Sequence, residues 1–566
     1  MLTDSLRAQV RAWIAADPDE HDRAELTALL ADDSEQAAAE LADRFSGRLQ
    51  FGTAGLRGVV AAGPNRMNRA VVRATSAAVA QWLLRDGRAA DAGVAIGCDA
   101  RNRSSDFAQE AALVLAGAGI TVYLLPARQP TPLLAFAVRH LGAAAGIMIT
   151  ASHNPAADNG YKLYLGDGAQ VIPPADQEIE AAIGQLGPLG SVRLAEPTSP
   201  LVHRLGDEIA AAYLDAICAT SSAGRDAAWL RFVYTPLHGV AGSLAMRAFE
   251  QAGYPAPDVV EAQADPDPDF PTVAFPNPEV PGALDLALAQ ARRSGADLVI
   301  ANDPDGDRLA VAVPDPDGSW RTLTGDQVGA LLGSYLLGKF PAVATDGADD
   351  RLVVSTIVSG SLLGKIATEA GAQYLKTLTG FKWIVRAGDA RPDLRFLFGY
   401  EEALGYCVGD VVRDKDGISA ALALLGLAAA ARSAGGSLLD AYDTLERAHG
   451  VHLTDQVTVP STTPVYVMAG LRSGTPAELG GEPVLSVTDL TGGTTQLPSA
   501  DVLSYRLPDA HVVIRPSGTE PKIKAYLEVV QHVPDGDLAA ARRLAADRMA
   551  RLIPAVEAVL AGRGDG

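Results

Sequence analysis

Short apolar runs alternate along most of the chain with longer stretches rich in alanine and leucine. The order repeats: an apolar run, a polar or glycine-containing loop, an alanine-rich stretch and a glycine stop. It begins at Val94, Phe232 and Leu352 and ends near Gly117, Gly253 and Gly371. The runs predict strands and the longer stretches predict helices. Strands that alternate with helices indicate an α/β fold whose mostly parallel sheets are covered on both faces.

The two ends of the chain depart from this pattern. Residues 1–50 predict helices without strand signals, whereas short β-type runs such as 511–514 precede a long amphipathic stretch from Leu538. The last segment is therefore expected to be a separate α+β domain. We predict a helical N-terminal lead-in over residues 1–50, three tandem α/β domains over 51–205, 206–322 and 323–450, and a C-terminal α+β domain over 451–566.

Composition narrows the class of protein. At 566 residues, with 48% hydrophobic and 20% charged residues, the chain is globular and too long for a single core. Its longest apolar stretch, Ile418–Ala431, is too short and too rich in alanine to span a bilayer, so we expect a core helix there. The start, Met1-Leu2-Thr3-Asp4, lacks a secretory signal pattern. The three scattered cysteines indicate no disulfide framework. Together these features predict a cytoplasmic protein.

Net charge bears on the kind of partner. A formal charge of −21 argues against nucleic acids and anionic membranes as partners, which leaves a small molecule. If that ligand is a phosphate, basic residues must be concentrated around it, because the net negative charge of the chain would otherwise repel it. Several basic residues do lie in or beside loops rich in glycine, proline and serine: Lys162, Arg308, Lys382, Arg413, Lys415, Arg515 and Lys522.

The hexapeptide Thr-Ala-Ser-His-Asn-Pro, residues 150–155, follows the buried-strand pattern of 146–149. Ser152 and His153 therefore lie side by side at the end of a strand, where α/β proteins bind their ligands. A serine in this position can be a nucleophile. It can equally be a helix N-cap or a turn residue.

A second loop, Asp-Pro-Asp-Gly-Asp-Arg at 303–308, follows another apolar run. Its carboxylates, at every second position, can converge on one cation, and oxygen ligands suit Mg²⁺ or Ca²⁺. An EF-hand is excluded because Arg308 takes the place of its glycine and Pro314 that of its last glutamate. The alternative is a simple turn, as the similar segment 315–318 suggests.

Two further loops carry polar groups that suit a sugar phosphate. Arg-Pro-Ser-Gly-Thr-Glu-Pro, residues 515–521, can wrap phosphate oxygens with a guanidinium, hydroxyls and main-chain amides, or can be a β-turn. Gly-Tyr-Glu-Glu-Ala-Leu-Gly, residues 399–405, can accept hydrogen bonds from sugar hydroxyls, or can be an exposed acidic turn.

Three other segments carry weaker signals. Phe-Gly-Thr-Ala-Gly-Leu-Arg-Gly at 51–58 is neither a P-loop nor a dinucleotide fingerprint, so structural and anion-binding interpretations both stand. Arg413-Asp414-Lys415-Asp416-Gly417 is typical of a surface turn. His238 is interpreted as a structural loop histidine, because no serine–histidine–aspartate order can be assembled from the nine histidines.

Taken in order, the motifs TASHNP, DPDGDR, GYEEALG and RPSGTEP, with FGTAGLRG upstream, resemble those of the α-D-phosphohexomutase family, the phosphoglucomutases and phosphomannomutases. The resemblance covers nearly all of the chain after the helical lead-in. It implies four domains around a central cleft and an isomerase that interconverts hexose 1-phosphate and hexose 6-phosphate. Glucose is the first choice of sugar and mannose the second. The reaction would pass through a phosphoserine enzyme and a sugar 1,6-bisphosphate such as glucose 1,6-bisphosphate, with Mg²⁺ as cofactor.

The resemblance also implies residue roles. Ser152 would carry the phosphoryl group, and a phosphoserine oxygen would bind Mg²⁺ together with Asp303, Asp305 and Asp307. Arg57, Lys162 and Arg308 would line the transfer site, with Lys162 and His153 as candidates for proton transfer. Glu401 would bind sugar hydroxyls, and Lys382 would be a further substrate contact. The phosphate not being transferred would be held by Arg515, Ser517, Gly518 and Thr519.

The sequence departs from the family's motifs at one position, and it leaves two rival functions open. Ala403 stands where relatives commonly carry serine, and this form resembles a branch that includes phosphopentomutases and enzymes that make glucose 1,6-bisphosphate. A phosphatase of the haloacid-dehalogenase type would use Asp303 as nucleophile, but it leaves residues 150–155 and 515–521 unexplained. A non-catalytic sugar-phosphate binder would not need the aspartate triplet. The expected oligomeric state is a monomer or a small homo-oligomer.

Overall fold

The computed structural model describes residues 2–50, 55–85, 87, 92–220, 225–343, 349–461, 463–517 and 522–562. The chain forms two compact units. Unit 1 comprises Met1–Ala223, Leu230–Ala312 and Val411–Leu422, and unit 2 comprises Gly224–Trp229, Val313–Asp410 and Ala423–Gly566. Unit 1 therefore includes a short segment, 411–422, that begins about a hundred residues after the preceding part of the unit ends at Ala312.

The N-terminal part of unit 1 is helical: α1 (Asp4–Ala16), α2 (Glu20–Ala31) and α3 (Glu35–Arg44). Each helix begins with a side-chain cap, in which Thr3, Asp19 and Ser34 accept a hydrogen bond from a main-chain N–H in the first turn. Val10, Leu26 and Leu41 of these helices form a small apolar core together with Ala62, which follows β1 (Leu56–Val59).

The first α/β region of unit 1 contains β1 (Leu56–Val59), α4 (Arg69–Arg85), β2 (Val94–Cys98), α5 (Ser104–Gly117), β3 (Val122–Leu124), α6 (Thr131–His140), β4 (Ala145–Ile149), β5 (Asp158–Leu165), α7 (Ala175–Gln185) and β6 (Val202–Arg204). Its sheet has the order β1-β5-β4-β2-β3-β6. Strands β4, β2, β3 and β6 are parallel, as the repeating pattern predicts, whereas β5 and β1 are antiparallel to their neighbours. The buried core lies between this sheet and its helices.

The next region contains α8 (Glu208–Thr220), β7 (Phe232–Thr235), α9 (Gly242–Gln251), β8 (Asp258–Val259), α10 (Asp285–Ser294), β9 (Leu298–Asn302) and β10 (Leu309–Pro314). In unit 1 the strands take the order β8-β7-β9-β10. Strands β8, β7 and β9 are parallel, and β10 pairs antiparallel with β9. The segment 303–308 is thus the loop between a parallel strand and its antiparallel partner.

The α/β region of unit 2 contains β11 (Trp320–Thr322), α11 (Gly325–Lys339), β12 (Arg351–Thr356), α12 (Leu362–Glu369), β13 (Gln373–Thr377), α13 (Phe381–Ile384), β14 (Arg395–Glu401), β15 (Gly405–Val408) and α15 (Leu438–His449). Helix α14 (Gly417–Ser433) begins in the unit 1 segment 411–422 and continues into unit 2. The sheet of this region has the order β13-β12-β14-β15. Strands β13, β12 and β14 are parallel, and β15 pairs antiparallel with β14.

The C-terminal region contains β16 (Val451–Pro460), α16 (Pro464–Ser473), β17 (Glu478–Leu479), β18 (Glu482–Pro483), β19 (Ser486–Asp489), β20 (Leu503–Leu507), β21 (Ala510–Pro516), β22 (Lys522–Gln531) and α17 (Leu538–Ala561). The main sheet, β16-β22-β21-β20-β19, is antiparallel between each pair of neighbours. Helix α17 buries an apolar face against it. The predicted fold class, tandem α/β domains followed by an α+β domain, is therefore confirmed.

The apolar stretch Ile418–Ala431 lies inside α14, where most of its side chains are buried, as predicted for a core helix. Among the described residues no single helix is both long and apolar enough to cross a membrane. The pair α14 and α15, bent by 87°, passes the same test of length and composition only when the two helices are taken together.

Candidate active site

Ser152 follows the carboxyl end of β4 in a tight turn. Its main-chain N–H donates to Thr150 Oγ1 at 2.9 Å, and its backbone takes a left-handed conformation with φ of 53°. Only 2% of the residue is exposed. Left-handed residues other than glycine are uncommon and are concentrated at functional sites. Among the alternatives left open by the sequence, the helix N-cap is wrong, because no described helix begins at Ser152.

Arg101, in the loop between β2 and α5, holds the turn in place. Its guanidinium donates to the main-chain carbonyls of Ser152 at 2.7 Å and Asn154 at 2.5 Å. It also donates to the carbonyls of Pro155 at 2.7 Å and Asp158 at 3.0 Å. A buried cation that satisfies four carbonyls fixes the path of the whole turn. Sequence reasoning missed Arg101, because its partners are main-chain atoms that carry no sequence signal.

The three aspartates of the 303–308 loop are buried and converge. One carboxylate oxygen from each of Asp303, Asp305 and Asp307 lies within 4.8 Å of the other two. The Ser152 hydroxyl donates to Asp303 Oδ2 at 2.9 Å, across 151 residues of sequence. Gly306 makes the loop compact through its left-handed φ of 74°. The serine loop and the aspartate loop therefore form one site in unit 1.

Two lysines offset the charge of the triplet. Lys162, on the antiparallel strand β5, places Nζ 2.7 Å from Asp305 Oδ2 and 3.0 Å from Asp307 Oδ2. Lys415 Nζ lies 3.1 Å from Asp307 Oδ2. Because buried charges are costly unless paired, these contacts are what allow three carboxylates to share one interior site.

The aspartates differ in proton affinity. Burial, together with the neighbouring carboxylates of Asp305 and Asp307, raises the pKa of Asp303 well above its usual range. Burial alone would raise the pKa of Asp305, but Lys162 and a hydrogen bond of 2.6 Å from Thr131 Oγ1 hold that pKa well below its ordinary value. Asp305 is therefore more firmly ionised than Asp303.

The triplet fits a divalent cation. Asp305 Oδ1 and Asp307 Oδ1 are buried, and within the described parts of the chain neither has a hydrogen-bond partner. A buried carboxylate oxygen without a partner is expensive unless something else binds it. With the Ser152 oxygen the donor set is entirely oxygen, which Mg²⁺ prefers. The residues present thus match the cofactor that the motifs imply.

The segment 413–417 corrects a prediction. Its composition is typical of a surface turn, but Asp414, Lys415 and Asp416 are 1%, 9% and 1% exposed. Asp414 Oδ2 accepts hydrogen bonds from Tyr164 and Gln170, both at 2.8 Å, and Asp414 Oδ1 lies 3.2 Å from Lys415 Nζ. The surface-turn interpretation is wrong because these contacts bury the segment in unit 1 beside Asp307.

His153 and Arg57 flank the serine. His153 Nδ1 lies 3.3 Å from Ser152 Oγ. Burial and the charges of Arg308 and Arg57 lower the pKa of His153 well below its usual value, so the imidazole is neutral at neutral pH. Arg57, on β1, donates to Asn154 Oδ1 at 3.1 Å, and its buried Nε has no partner among the described residues. Such a group can bind an anion.

Arg308 closes the aspartate loop. Its main-chain N–H donates to Asp303 Oδ1 at 2.9 Å, and its guanidinium donates to Glu279 Oε2 at 3.2 Å. His238 takes no part in this cluster. Its Nε2 lies 2.8 Å from Thr272 Oγ1 in a buried loop contact, which agrees with a structural role.

Unit 2 holds the paired glutamates at the turn between β14 and β15. Gly380 donates its N–H to Glu401 Oε1 at 2.6 Å. Glu402 Oε2 lies 3.3 Å from the hydroxyl of Ser359 and 3.5 Å from that of Thr356. Burial and the neighbouring charge of Glu401 raise the pKa of Glu402 to about 8. Glu402 is thus protonated at neutral pH, whereas sequence reasoning singled out only Glu401.

The remaining predicted residues of unit 2 lie near this turn or at the edge of the described chain. Lys382 is buried in α13, two residues after Gly380. The charge of Arg515, at the end of β21, partly counters the raised pKa of Glu402. Ser517 donates its N–H to the carbonyl of Lys522 at 2.8 Å. Gly518 and Thr519 lie outside the described residues.

Comparison with known proteins identifies relatives along most of the chain. Models of the four phosphoglucomutase/phosphomannomutase domains match in order: alpha/beta/alpha domain I at residues 48–187, domain II at 211–318, domain III at 324–447 and the C-terminal domain at 478–545. The four matches follow the order of the regions described above.

The names of individual relatives refer to different sugars. The "Probable phosphomannomutase" of Haemophilus influenzae is 41% identical over 471 residues, covering 82% of this chain and 93% of the relative. The "Probable phosphoribomutase" of Schizosaccharomyces pombe is 37% identical over 557 residues, covering 92% and 93%. The solved structure of a phosphoglucomutase/phosphomannomutase family protein from Burkholderia thailandensis shares the fold, with a TM-score of 0.66 and 22% identity over 89% of this chain and 97% of that one.

Proposed function

The chain belongs to the phosphoglucomutase/phosphomannomutase family, and from that premise we propose that it interconverts hexose 1-phosphate and hexose 6-phosphate. Glucose is the first choice of sugar and mannose the second. The observation that carries the proposal is the hydroxyl of Ser152, 2.9 Å from Asp303 and beside carboxylate oxygens that lack partners among the described residues. A phosphorylated serine in that position explains why the carboxylates and lysines are assembled around it.

The proposed step is a phosphoryl transfer. A sugar hydroxyl attacks the phosphorus of phosphorylated Ser152, the bond from phosphorus to Ser152 Oγ breaks, and the bond from phosphorus to the sugar oxygen forms. The proton of the sugar hydroxyl passes to an adjacent base, and Ser152 Oγ takes up a proton as it leaves, which restores the hydroxyl. In the reverse step Ser152 is phosphorylated again. Such reactions depend mainly on alignment and on stabilising charge at the phosphoryl oxygens.

This chain's own residues supply those effects in unit 1. Neutral His153, 3.3 Å from Ser152 Oγ, can accept a proton. Lys162 and Arg57 provide fixed positive charge beside the transferred group. Asp303, Asp305 and Asp307 would hold Mg²⁺, which when bound offsets negative charge on the phosphoryl oxygens.

A mutase also needs to hold the end of the sugar that is not reacting. We assign that task to unit 2, where Glu401 would accept hydrogen bonds from sugar hydroxyls and Lys382 would contact the substrate. Arg515, Ser517, Gly518 and Thr519 would bind the second phosphate. The sugar 1,6-bisphosphate would form, reverse its orientation and return its other phosphate to Ser152.

The decisive experiment follows the phosphate on the protein. The enzyme is incubated with Mg²⁺ and glucose 1,6-bisphosphate labelled in its phosphates, then denatured and treated with acid or hydroxylamine. We expect acid-stable label in the wild type, loss of that label in Ser152→Ala, and normal labelling in the control Ser191→Ala, an exposed serine outside the site. Label released by hydroxylamine would indicate an acyl phosphate on Asp303 and would overturn the mutase in favour of a phosphatase.

A pentose phosphate is the second candidate substrate. It is favoured by the similarity to the relative named a phosphoribomutase and by Ala403, which removes a hydroxyl from the sugar loop. Coupled assays of glucose 1-phosphate, mannose 1-phosphate and ribose 1-phosphate at matched concentrations decide between them. The glucose proposal fails if ribose 1-phosphate gives the highest kcat/KM.

A further inference from the structure

An ion-pair cluster joins the N-terminal helices to the first α/β region of unit 1. Arg103 donates to Asp19 Oδ2 and, at 3.2 Å, to Asp22 Oδ1. Asp19 and Asp22 are 8% and 2% exposed, so these contacts are shielded from water. Asp19 is also the N-cap of α2. This side-chain contact is thus tied directly to the start of a helix.

The backbone of Arg103 depends on such support. It has φ of 67° and lies at the start of α5, where its side chain makes no cap hydrogen bond. A left-handed arginine is intrinsically unfavourable and persists only where its surroundings hold it. Asp19 and Asp22 hold its side chain from α2, and within α5 the guanidinium also lies 3.6 Å from Asp106 Oδ2 and over the ring of Phe107.

The same short loop controls the serine turn. Arg101, two residues before Arg103, donates to the four carbonyls of the Ser152 turn described above. Within the loop, Asp99 Oδ1 accepts hydrogen bonds from the Arg101 N–H at 2.9 Å and from Ser104 Oγ at 2.6 Å. The carbonyl of Asn102 accepts from Asn159 Nδ2 at 3.0 Å. The loop is therefore a rigid link between the helices and the turn.

We propose that α2 and its N-cap are a functional part of the active site, acting through Asp19, Asp22 and Arg103 as positioning residues for Ser152. In this arrangement the aspartates fix Arg103, Arg103 fixes the 99–104 loop, and Arg101 fixes the carbonyls around the phosphorylated serine. The helices precede residue 48, where the match to family domain I begins. The kinetic part of the proposal rests on the mutase function, whereas the structural part does not.

The experiment removes the link and reads the turn directly. In Arg103→Gln, hydrogen exchange is measured by mass spectrometry over residues 150–158, where the amides of Asn154 and Asp158 donate to carbonyls of the turn. We expect exchange there to quicken several-fold. We also expect kcat to fall about tenfold at unchanged KM, because small misplacements of a reacting group cost rate more than binding. Arg103→Lys, which keeps the charge, should recover part of both losses.

The matched control is Asp43→Asn. It breaks the contact between Asp43 and Arg66, which also joins the N-terminal helices to the following region but does not involve the 99–104 loop. The control should leave exchange at 150–158 and kcat unchanged. If Arg103→Gln does not fold, Asp19→Asn, of the same shape, replaces it with the same expectation.

Unchanged exchange at 150–158 in Arg103→Gln, with faster exchange confined to α1 and α2, would overturn the proposal and leave the cluster a folding contact only. Equal effects of Asp43→Asn and Arg103→Gln on the turn would overturn it as well. Faster exchange in the turn of a protein that forms no phosphoserine would support the structural link and count against the mutase function instead.

Discussion

Two clusters of carboxylates, one in each unit, meet the cost of burying like charges in opposite ways. In unit 1 Asp305 stays charged, because Lys162 Nζ lies 2.7 Å from its Oδ2 and holds the pKa of this carboxyl well below its ordinary value. In unit 2 Glu402 takes up a proton instead, since its pKa of about 8 leaves it neutral at physiological pH. Neighbouring acidic residues in a motif therefore do not imply one kind of site.

The difference matches what each cluster is proposed to bind. A divalent cation needs ionised oxygens with free lone pairs, and Asp305 and Asp307 each keep one buried oxygen without a partner among the described residues. A neutral sugar needs hydrogen-bond donors and acceptors, and a protonated carboxyl offers both. Charge compensation by lysine suits the first task, and protonation suits the second.

The largest effect is expected from removing the lysine that faces two aspartates. Lys162→Met should lower kcat by about a thousandfold, because Asp305 and Asp307 lose their nearest cation and the transferred phosphoryl group loses fixed positive charge. Steady-state assays at saturating glucose 1-phosphate and Mg²⁺ measure this. The control Lys339→Met, in α11, should stay within about twofold. A similarly small loss in Lys162→Met would show that the lysine is not needed for charge compensation.

Lys415→Met should reveal the competition between lysine and metal. In EDTA the variant leaves Asp307 with one cation fewer, and we expect about 3 kcal/mol less free energy of unfolding than in the wild type. Saturating Mg²⁺ should recover much of this, because bound metal takes over the compensation. Urea unfolding with EDTA and with Mg²⁺ checks it. Equal stabilisation of wild type and variant by Mg²⁺ would contradict the idea.

Glu402→Gln should change how the stability of unit 2 depends on pH. Glu402 keeps its proton in the folded state up to a pKa of about 8, but the ordinary value is 4.5, so the unfolded chain releases it earlier. The stabilising contribution of that proton is complete below pH 4.5 and is lost as pH rises to about 8. The stability of the glutamine variant relative to wild type should therefore increase from pH 5 to pH 9.

Urea unfolding at those two pH values tests this, with Glu478→Gln as an exposed control in the same unit. We expect the control to follow the wild type at both pH values. A gap between the glutamine variant and wild type that stays constant from pH 5 to pH 9 would show that Glu402 is ionised throughout.

The smallest effect is expected from the sugar loop. Ala403→Ser adds one hydroxyl beside the paired glutamates and should change the ratio of kcat/KM for glucose 1-phosphate and ribose 1-phosphate by about tenfold or less, the scale of a single hydrogen bond. The same ratio in Ala434→Ser, an exposed position, should not move. An unchanged ratio in Ala403→Ser would remove residue 403 from the determinants of sugar preference.

Local patterns carried most of what could be predicted. The strand–loop–helix repeat foretold β2 with α5, β7 with α9 and β12 with α12, because each is specified by hydrophobic periodicity within about 25 residues. The aspartate spacing in 303–308 likewise lies within one loop. The antiparallel strands of the α/β regions were not predicted, although one of them, β5, carries Lys162.

Long-range contacts could not be read from the sequence. Lys415 lies in a segment whose aspartates, lysine and glycine favour the surface, and its burial depends on Tyr164 and Gln170, about 250 residues earlier. Arg101 was missed because it binds carbonyls, which every residue possesses. The proton on Glu402 follows from burial and from the charge of Glu401, which a motif cannot express.

Because residues 411–422 belong to unit 1, this unit is completed late during synthesis of the chain. Gly417 packs closely against the aspartate loop, and any side chain at this position would collide with the carbonyl of Arg308. A ribosome adds about 5–20 residues per second, so Lys415 emerges about 5 to 20 s after Asp307. Throughout that interval the nascent chain carries the aspartate triplet without its second lysine. We expect a dissolved cation or a chaperone to stabilise the incomplete unit 1 until residues 411–422 have been synthesised.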